Sequence, residues 1–286
     1  MKPSVAVLVC AVCLSSCSHQ GAIVVGSKNF TEQVILGEIA AQQLERKLHT
    51  RVERRLNLGG TLLAHGALVN GQIDLYPEYT GTASSAVLKQ QVVGDSAKAY
   101  MEVKDAYRER FHLLWLPPLG FNNTFAMAVR REDAQRLTRP ELSAADSRAW
   151  RLGVGYEFLT RLDGLRKLNE VYSLHWQGTP RTMDLGLLYQ ALVRKKVDMA
   201  AGNSTDAALS EPTFMVLADD KKAFPPYNAC FVVREKLIQQ NAAVKWALTM
   251  LSGRISDETM RALNRRVDVD HQPVSRVARE FLANEP

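Results

Sequence analysis

The sequence predicts an α/β protein of two lobes, and three observations lead there. Short apolar runs that suit buried strands alternate along the chain with segments of helical period. At 286 residues the chain is long enough for two cores of ordinary size. No Gly/Ser/Pro-rich linker divides it, which implies lobes joined by strands that cross and return.

Ala22-Ile23-Val24-Val25-Gly26 is a short apolar run closed by glycine, the signature of a buried parallel strand. After the loop Ser27 to Phe30, Thr31 opens a helix in which Val34, Ile35, Ile39 and Leu44 recur at helical spacing. This order places Lys28 at a strand's C-terminal edge, where open α/β sheets hold their ligands. The pattern then repeats. Val52 to Leu58 alternates as a strand, and Thr61 to Asn70 forms a helix capped by Gly71. Ile73 to Tyr76 is a strand running into the turn Pro77-Glu78-Tyr79-Thr80-Gly81-Thr82. Thr124 to Val129, Arg151 to Val154, Val197 to Ala201 and Phe231 to Val233 are further strands, and Tyr189 to Lys195 is helical. Mostly parallel sheets are expected. Chain crossings are expected near Phe121 to Phe125 and near Pro225 to Tyr227. They divide the chain into one lobe of residues 22–124 and 227–286 and a second of residues 125–226.

The N-terminus reads differently. Lys2, the apolar stretch Val5 to Leu14 and the small residues before Cys17 have the layout of a secretory signal. Leu14-Ser15-Ser16-Cys17 also resembles a bacterial lipobox. On that reading residues 1–16 are removed, Cys17 is acylated and residues 17–21 form a short tether at a membrane surface. Cys10 and Cys13 leave with the signal, so Cys230 remains as a free thiol and no internal disulfide is expected. Elsewhere no apolar run approaches the roughly 20 residues that span a bilayer.

Composition narrows the functional classes. Hydrophobic residues at 46% and charged residues at 23% belong to a globular chain, not a disordered or fibrous one. The net charge of +6 is spread over separate clusters such as Arg51/Arg54/Arg55, Arg130/Arg131 and Arg194/Lys195/Lys196. A solvated surface explains such clusters in an exported protein, and nucleic-acid binding is not expected. The scattered histidines form no metal motif. Gly202-Asn203-Ser204-Thr205-Asp206 sets serine near aspartate but lacks the elbow that exposes a nucleophile, and no nucleotide loop occurs.

Aromatic residues beside loops carry more information. Core packing accounts for Tyr76, Tyr189 and Phe231. Tyr79 and Tyr227 sit instead in Pro-containing turns next to strands, where a ring can face a cleft. Several rings around one point hold a methylated ammonium by cation–π attraction, each contact contributing roughly 0.5–2 kcal/mol.

Six stretches in order resemble the substrate-binding proteins of osmoprotectant ABC transporters, which take up glycine betaine, choline, carnitine and related compounds. They are Gly26-Ser27-Lys28-Asn29-Phe30-Thr31-Glu32-Gln33, Asp74-Leu75-Tyr76-Pro77-Glu78-Tyr79-Thr80-Gly81-Thr82 and Leu119-Gly120-Phe121-Asn122-Asn123-Thr124. The others are Tyr156-Glu157-Phe158-Leu159 with Arg161-Leu162-Asp163-Gly164, then Ser204-Thr205-Asp206, and Asp219-Asp220 with Phe224-Pro225-Pro226-Tyr227. The resemblance implies a type II periplasmic-binding fold, two α/β lobes closing on a ligand between them. It also implies an exported, monomeric, non-catalytic receptor that needs no cofactor. The receptor would hand its ligand to an ABC permease served by a separate ATPase subunit.

Carried over by motif, Tyr79 and Tyr227 are walls of an aromatic cage, and Phe125 stands where relatives usually carry tyrosine. Lys28, Thr82 and Arg161 match positions that hold a ligand carboxylate, although the same charges also suit surface or interlobe ion pairs. Asn203 replaces a tyrosine common in relatives. That exchange either weakens the cage or reads a polar group on a larger betaine, such as a histidine betaine. A ligand-sensing domain of the same fold and an exported enzyme on it remain alternatives.

Overall fold

The computed structural model describes residues 22–90 and 94–284, so the expected signal, Cys17 and the tether lie outside the described residues. In chain order the strands are β1 (Ile23–Gly26), β2 (Val52–Arg55), β3 (Leu75–Tyr79), β4 (Leu113–Trp115), β5 (Phe125–Arg130) and β6 (Ala149–Trp150). They continue with β7 (Leu152–Val154), β8 (His175–Trp176), β9 (Arg181–Thr182), β10 (Met199–Asn203), β11 (Phe214–Val216) and β12 (Ala229–Arg234). Two five-stranded sheets result, ordered β2-β1-β3-β12-β4 and β11-β5-β10-β7-β9, while β6 pairs with β8 apart from them.

Each sheet is mixed, where the sequence led us to expect mostly parallel pairing. β1 runs parallel to β2 and β3, and β7 runs parallel to β9 and β10. β12 and β5, the strands by which the chain changes sheets, run against their neighbours. The reason is where they start. Ala229 opposes Tyr79 at the end of β3, and Phe125 opposes Asn203 at the end of β10. A strand that enters at the C-terminal edge of its neighbours can only run back along them. The two crossing segments also pair with each other, through an antiparallel bridge between Asn122 and Asn228.

Both faces of each sheet are buried. Along β12, Ala229, Phe231 and Val233 enter one core while Cys230 and Val232 enter another. In β5, Met127 and Val129 face one core and Ala128 the opposite one. Period-2 side-chain alternation with both faces covered is what makes these strands continuous apolar runs in sequence. Cys230 is fully enclosed and free, and burial pushes its thiol well above the usual range.

Helix α1 (Thr31–Leu48) lays Ile35, Leu36, Ile39 and Leu44 into the first core. It stops at His49, whose left-handed backbone (φ 48) returns its N–H to Glu45 O. Helix α2 (Thr61–Val69) ends as expected, with Gly71 at φ +71 donating to Leu68 O. β2 is shorter than the expected Val52–Leu58, because Asn57 (φ 62) and Gly59 (φ 125) turn the chain away. β3 is longer than expected: Pro77 and Tyr79 belong to the strand, not to a turn after it. β1 pairs with β3 only at Leu75, so Pro77 lies where β12 is the remaining neighbour, an edge-like place that tolerates a missing N–H.

In the Arg130/Arg131 cluster Arg131 is exposed, as expected of a solvated surface, but its neighbour is not. Arg130 is buried, donating to Leu192 O, Val197 O and Asp198, and it also pairs with Asp133. Asp198 accepts in addition from Arg151 Nε and Nη2, both at 2.7 Å. The Arg151 hydrogen bonds hold the Asp198 carboxyl well below its ordinary value of 3.8. Its stabilisation is therefore complete above that value and is lost as pH falls below it. Asp198→Asn should cost about 3 kcal/mol at pH 7, since it leaves Arg130 buried with less countercharge. Urea midpoints at pH 7 and pH 3 should show the gap to wild type narrowing in acid.

Candidate functional site

The C-terminal ends of β1 and β3, the paired crossings and the edge of the second sheet meet at one place. β1 runs into the loop that carries Lys28, whose ammonium reaches Glu78 Oε1 at 2.6 Å and Thr61 Oγ1 at 3.4 Å. Both members of this ion pair are enclosed. The Lys28 nitrogen also stands 4.8 Å from the Tyr79 ring centroid and 6.0 Å from that of Phe30, whose ring stacks with Tyr79 at 6.4 Å. Tyr79 ends β3, and the helical turn Thr80–Thr82 that follows buries Thr82.

Gly81 explains its own residue type. A Cβ there would lie 2.5 Å from Cδ1 and Cε1 of Tyr227, so the ring of Tyr227 rests directly on the glycine backbone. Tyr227 in turn meets Phe125 edge-on, with centroids 5.6 Å apart, and Phe158 and Phe224 surround Phe125 from the other sides. The Arg161 guanidinium lies over both faces, 4.9 Å from the Phe125 centroid and 5.5 Å from that of Tyr227. Asp163 holds it bidentately, at 2.9 Å from Nε and 2.6 Å from Nη2, and accepts the Tyr227 hydroxyl at 2.6 Å. Asn203, opposite Phe125 in the sheet, donates its backbone N–H to the half-buried Asp206 at 2.8 Å. Asp206 accepts the Tyr189 hydroxyl as well, and burial pushes its carboxyl up.

Lys28, Tyr79, Thr82, Phe125, Arg161, Asn203 and Tyr227 thus form one contiguous set, linked through Gly81 and the Phe125 pairing. Burial pushes the phenols of Tyr79 and Tyr227 well above their ordinary value, so both are neutral hydrogen-bond donors. A shallow depression of about 410 Å³ beside Trp246 lies on another helix and includes none of these residues.

Sequence reasoning missed the acids. Glu78 and Asp163 pair with the two cations, and Glu157 bridges the lobes. From the second lobe its Oε1 accepts the Thr61 N–H at 2.7 Å, with Oε2 3.2 Å from the Thr61 hydroxyl. Helix α2 has Gly60 at its N-cap and no acidic residue in its first turn, so its N-terminus is capped from the opposite lobe. A Cβ on Gly60 would stand 2.8 Å from Glu157 Oε1. Burial raises the Glu157 carboxyl, but the charges of Lys28 and Arg161 and the bonds from Thr61 outweigh it and hold it below the usual range. The available signal was position, since each acid lies within a few residues of a candidate site residue.

Two mixed sheets flanked by helices and joined by paired crossings define a binding protein of the type II periplasmic-binding fold, with Tyr79 and Tyr227 packed into the first core rather than lining an open space. Residues 21–284 match the model of the substrate binding domain of the ABC-type glycine betaine transport system, and the chain belongs to that family. The ergothioneine transport permease/ergothioneine binding protein EgtU of Helicobacter pylori (strain G27) is 36% identical over 263 residues. That match covers 91% of this chain but only 47% of the Helicobacter protein, so this chain spans about half of that relative. The carnitine transport binding protein OpuCC of Listeria monocytogenes is 32% identical over 297 residues, covering 98% of this chain and 94% of its own. A crystal structure described as a glycine betaine/carnitine/choline ABC transporter superposes with a TM-score of 0.76 at 30% identity. It covers 91% of this chain and 97% of the solved one. These relatives are transporter components, not enzymes.

Replacing Glu157 by Ala should remove the cap on α2 and loosen the lobes. Loss of an N-cap is worth about 1 kcal/mol, roughly a fivefold shift toward open forms. Spin labels on the two lobes should report a broader, longer distance distribution, with Glu157→Gln lying between the two.

Proposed function

We propose that the protein captures a quaternary-ammonium compound between its lobes and delivers it to an ABC permease driven by a separate ATPase subunit. Tyr79, Phe125 and Tyr227 supply ring faces for the ammonium, and Asn203 completes the wall where relatives usually place a further tyrosine. Lys28, Thr82 and Arg161 hold the ligand's carboxylate. The observation that carries this reading is the Arg161 guanidinium lying over Phe125 and Tyr227 at 4.9 and 5.5 Å. Ring faces that already attract a delocalised cation suit an ammonium with no N–H to donate.

Donor counting agrees. Asp163 takes Nε and Nη2 of Arg161, leaving Nη1, which stands 3.6 Å from Glu157. Lys28 has three protons; Glu78 takes one and Thr61 another, leaving one. A betaine carboxylate fits that remainder better than choline, which has no anion to offer. Residues 22–124 with 227–286 and residues 125–226 act as the two closing units, hinged on the paired crossings. Acylation at Cys17 tethers a monomer to the outer face of the cytoplasmic membrane or in the periplasm.

Asn203 favours a second ligand within the same class. An amide in place of a ring brings a donor and an acceptor, which suit the polar side group of a histidine betaine. The 36% identity to an ergothioneine-binding relative supports this choice, since ergothioneine is itself a sulfur-bearing histidine betaine.

Calorimetric titration of the fragment beginning at Ser18 with glycine betaine, choline, carnitine and ergothioneine tests the proposal. Micromolar binding of one betaine is expected, weakened about tenfold or more by Tyr79→Ala. Equal affinity for choline would remove the carboxylate role of Lys28, Thr82 and Arg161. Absence of binding to all four by folded protein would overturn the ligand class.

A further inference from the structure

Glu32 lies in the first turn of α1, behind Tyr79, and is enclosed on every side. Its Oε1 accepts from the Tyr79 hydroxyl at 2.6 Å and from Asn123 Nδ2 at 2.8 Å. Its Oε2 accepts from Thr205 Oγ1 at 2.5 Å and from Asn264 Nδ2 at 3.1 Å. These donors come from separate parts of the chain. Tyr79 ends β3, and Asn123 lies in the first crossing. Thr205 follows β10 of the second sheet, and Asn264 belongs to the helix Asp257–Asp268 that packs on α1.

The amides show which partner directs them. Asn123 and Asn264 both turn their nitrogens to Glu32 and leave their own carbonyl oxygens buried without a partner. An orphaned buried acceptor is unfavourable, so the carboxylate outweighs it. Asn264 also donates to Thr205 O at 2.9 Å, and Arg261 of the same helix donates to Ser204 O at 3.0 Å. Donors that converge on one point from all these directions need an acceptor without hydrogens of its own, which an ionised carboxylate is and an amide is not.

We propose that Glu32 is a positioning residue for ligand binding, the junction that sets one wall of the cleft against the other. It fixes the Tyr79 ring from the first sheet. Through Thr205 it also holds the loop that begins at Asn203, the wall from the second sheet. Because Asn123 joins the same carboxylate, both walls are referred to the crossing about which the lobes move. The geometry stands independently of any ligand, and its consequence for affinity rests on the function proposed above.

Two measurements on the fragment beginning at Ser18 test this. In ligand-free protein, amide hydrogen exchange in segments 121–124 and 203–206 should quicken about tenfold in Glu32→Gln. In titrations with the best-bound betaine, Glu32→Gln should weaken affinity about tenfold, and Tyr79→Phe by less. The double variant should be no weaker than Glu32→Gln alone within about twofold, since the Tyr79 hydroxyl acts through Glu32. Additive losses, or unchanged exchange in both segments, would overturn the assignment. A lower melting temperature with unaltered exchange and affinity would do the same. If wild-type protein binds none of the compounds, the functional reading falls while the exchange experiment still decides the junction. Should Glu32→Gln fail to fold, Thr205→Val removes a single donor. Faster exchange at 203–206 with a few-fold loss of affinity is then expected, and no change overturns the assignment.

Discussion

A charge withdrawn from water must find its opposite nearby, and this constraint organises the place where the two sheets meet. Lys28 lies against Glu78, and Arg161 lies in the fork of Asp163. Glu157 lies against the open Thr61 amide at the head of α2. Neither cation nor its carboxylate could be enclosed alone without a penalty of several kcal/mol, whereas Glu157 is only half-buried. Each pairing fixes a geometry in turn. Glu78 places the Lys28 ammonium over Tyr79, and Asp163 presses the Arg161 guanidinium onto Phe125 and Tyr227. The aromatic faces and the charges are thus one arrangement, because the carboxylates that neutralise the cations also aim them.

The same economy runs through the topology. Crossing strands that start at the C-terminal edge of their sheets bring Tyr227 and Phe125 to that edge. Gly81 then allows the Tyr227 ring to settle on backbone. Antiparallel entry of β5 and β12 and convergence of the rings are therefore two aspects of a single geometric fact. Glu32 stands at the point where the first sheet, the crossing and the second sheet's loop come together.

Much of this was legible in the sequence for a physical reason. Strands covered on both faces are written as unbroken apolar runs, so β1, β5, β10 and β12 stood out at once. Gly71 marked the end of α2 because few other residues accept its backbone angles. The ring residues beside crossings were visible as aromatics among turn formers. Strand direction was not visible, since it depends on which edge a strand enters. The extent of β3 was misread because Pro77 looks like a breaker unless its missing neighbour is known. Arg130 looked like surface because, Asp133 apart, the groups that receive it, Asp198 and the Leu192 and Val197 carbonyls, are distant in sequence. The acids Glu32, Glu78, Asp163 and Glu157 were hidden for a related reason. A buried carboxylate and a solvated one are the same letter, and only folding reveals what it faces.

Cys230 carries a practical consequence. It is the one cysteine in a fragment that begins at Ser18, and it lies in β12 with no exposed surface and a thiol held firmly protonated. Thiolate is the reactive species, so such a sulfur is a poor target for maleimides and alkylating dyes. The outside of the fragment is chemically blank toward thiol reagents. Any cysteine introduced on either lobe will take a probe cleanly, without first removing a residue from the core.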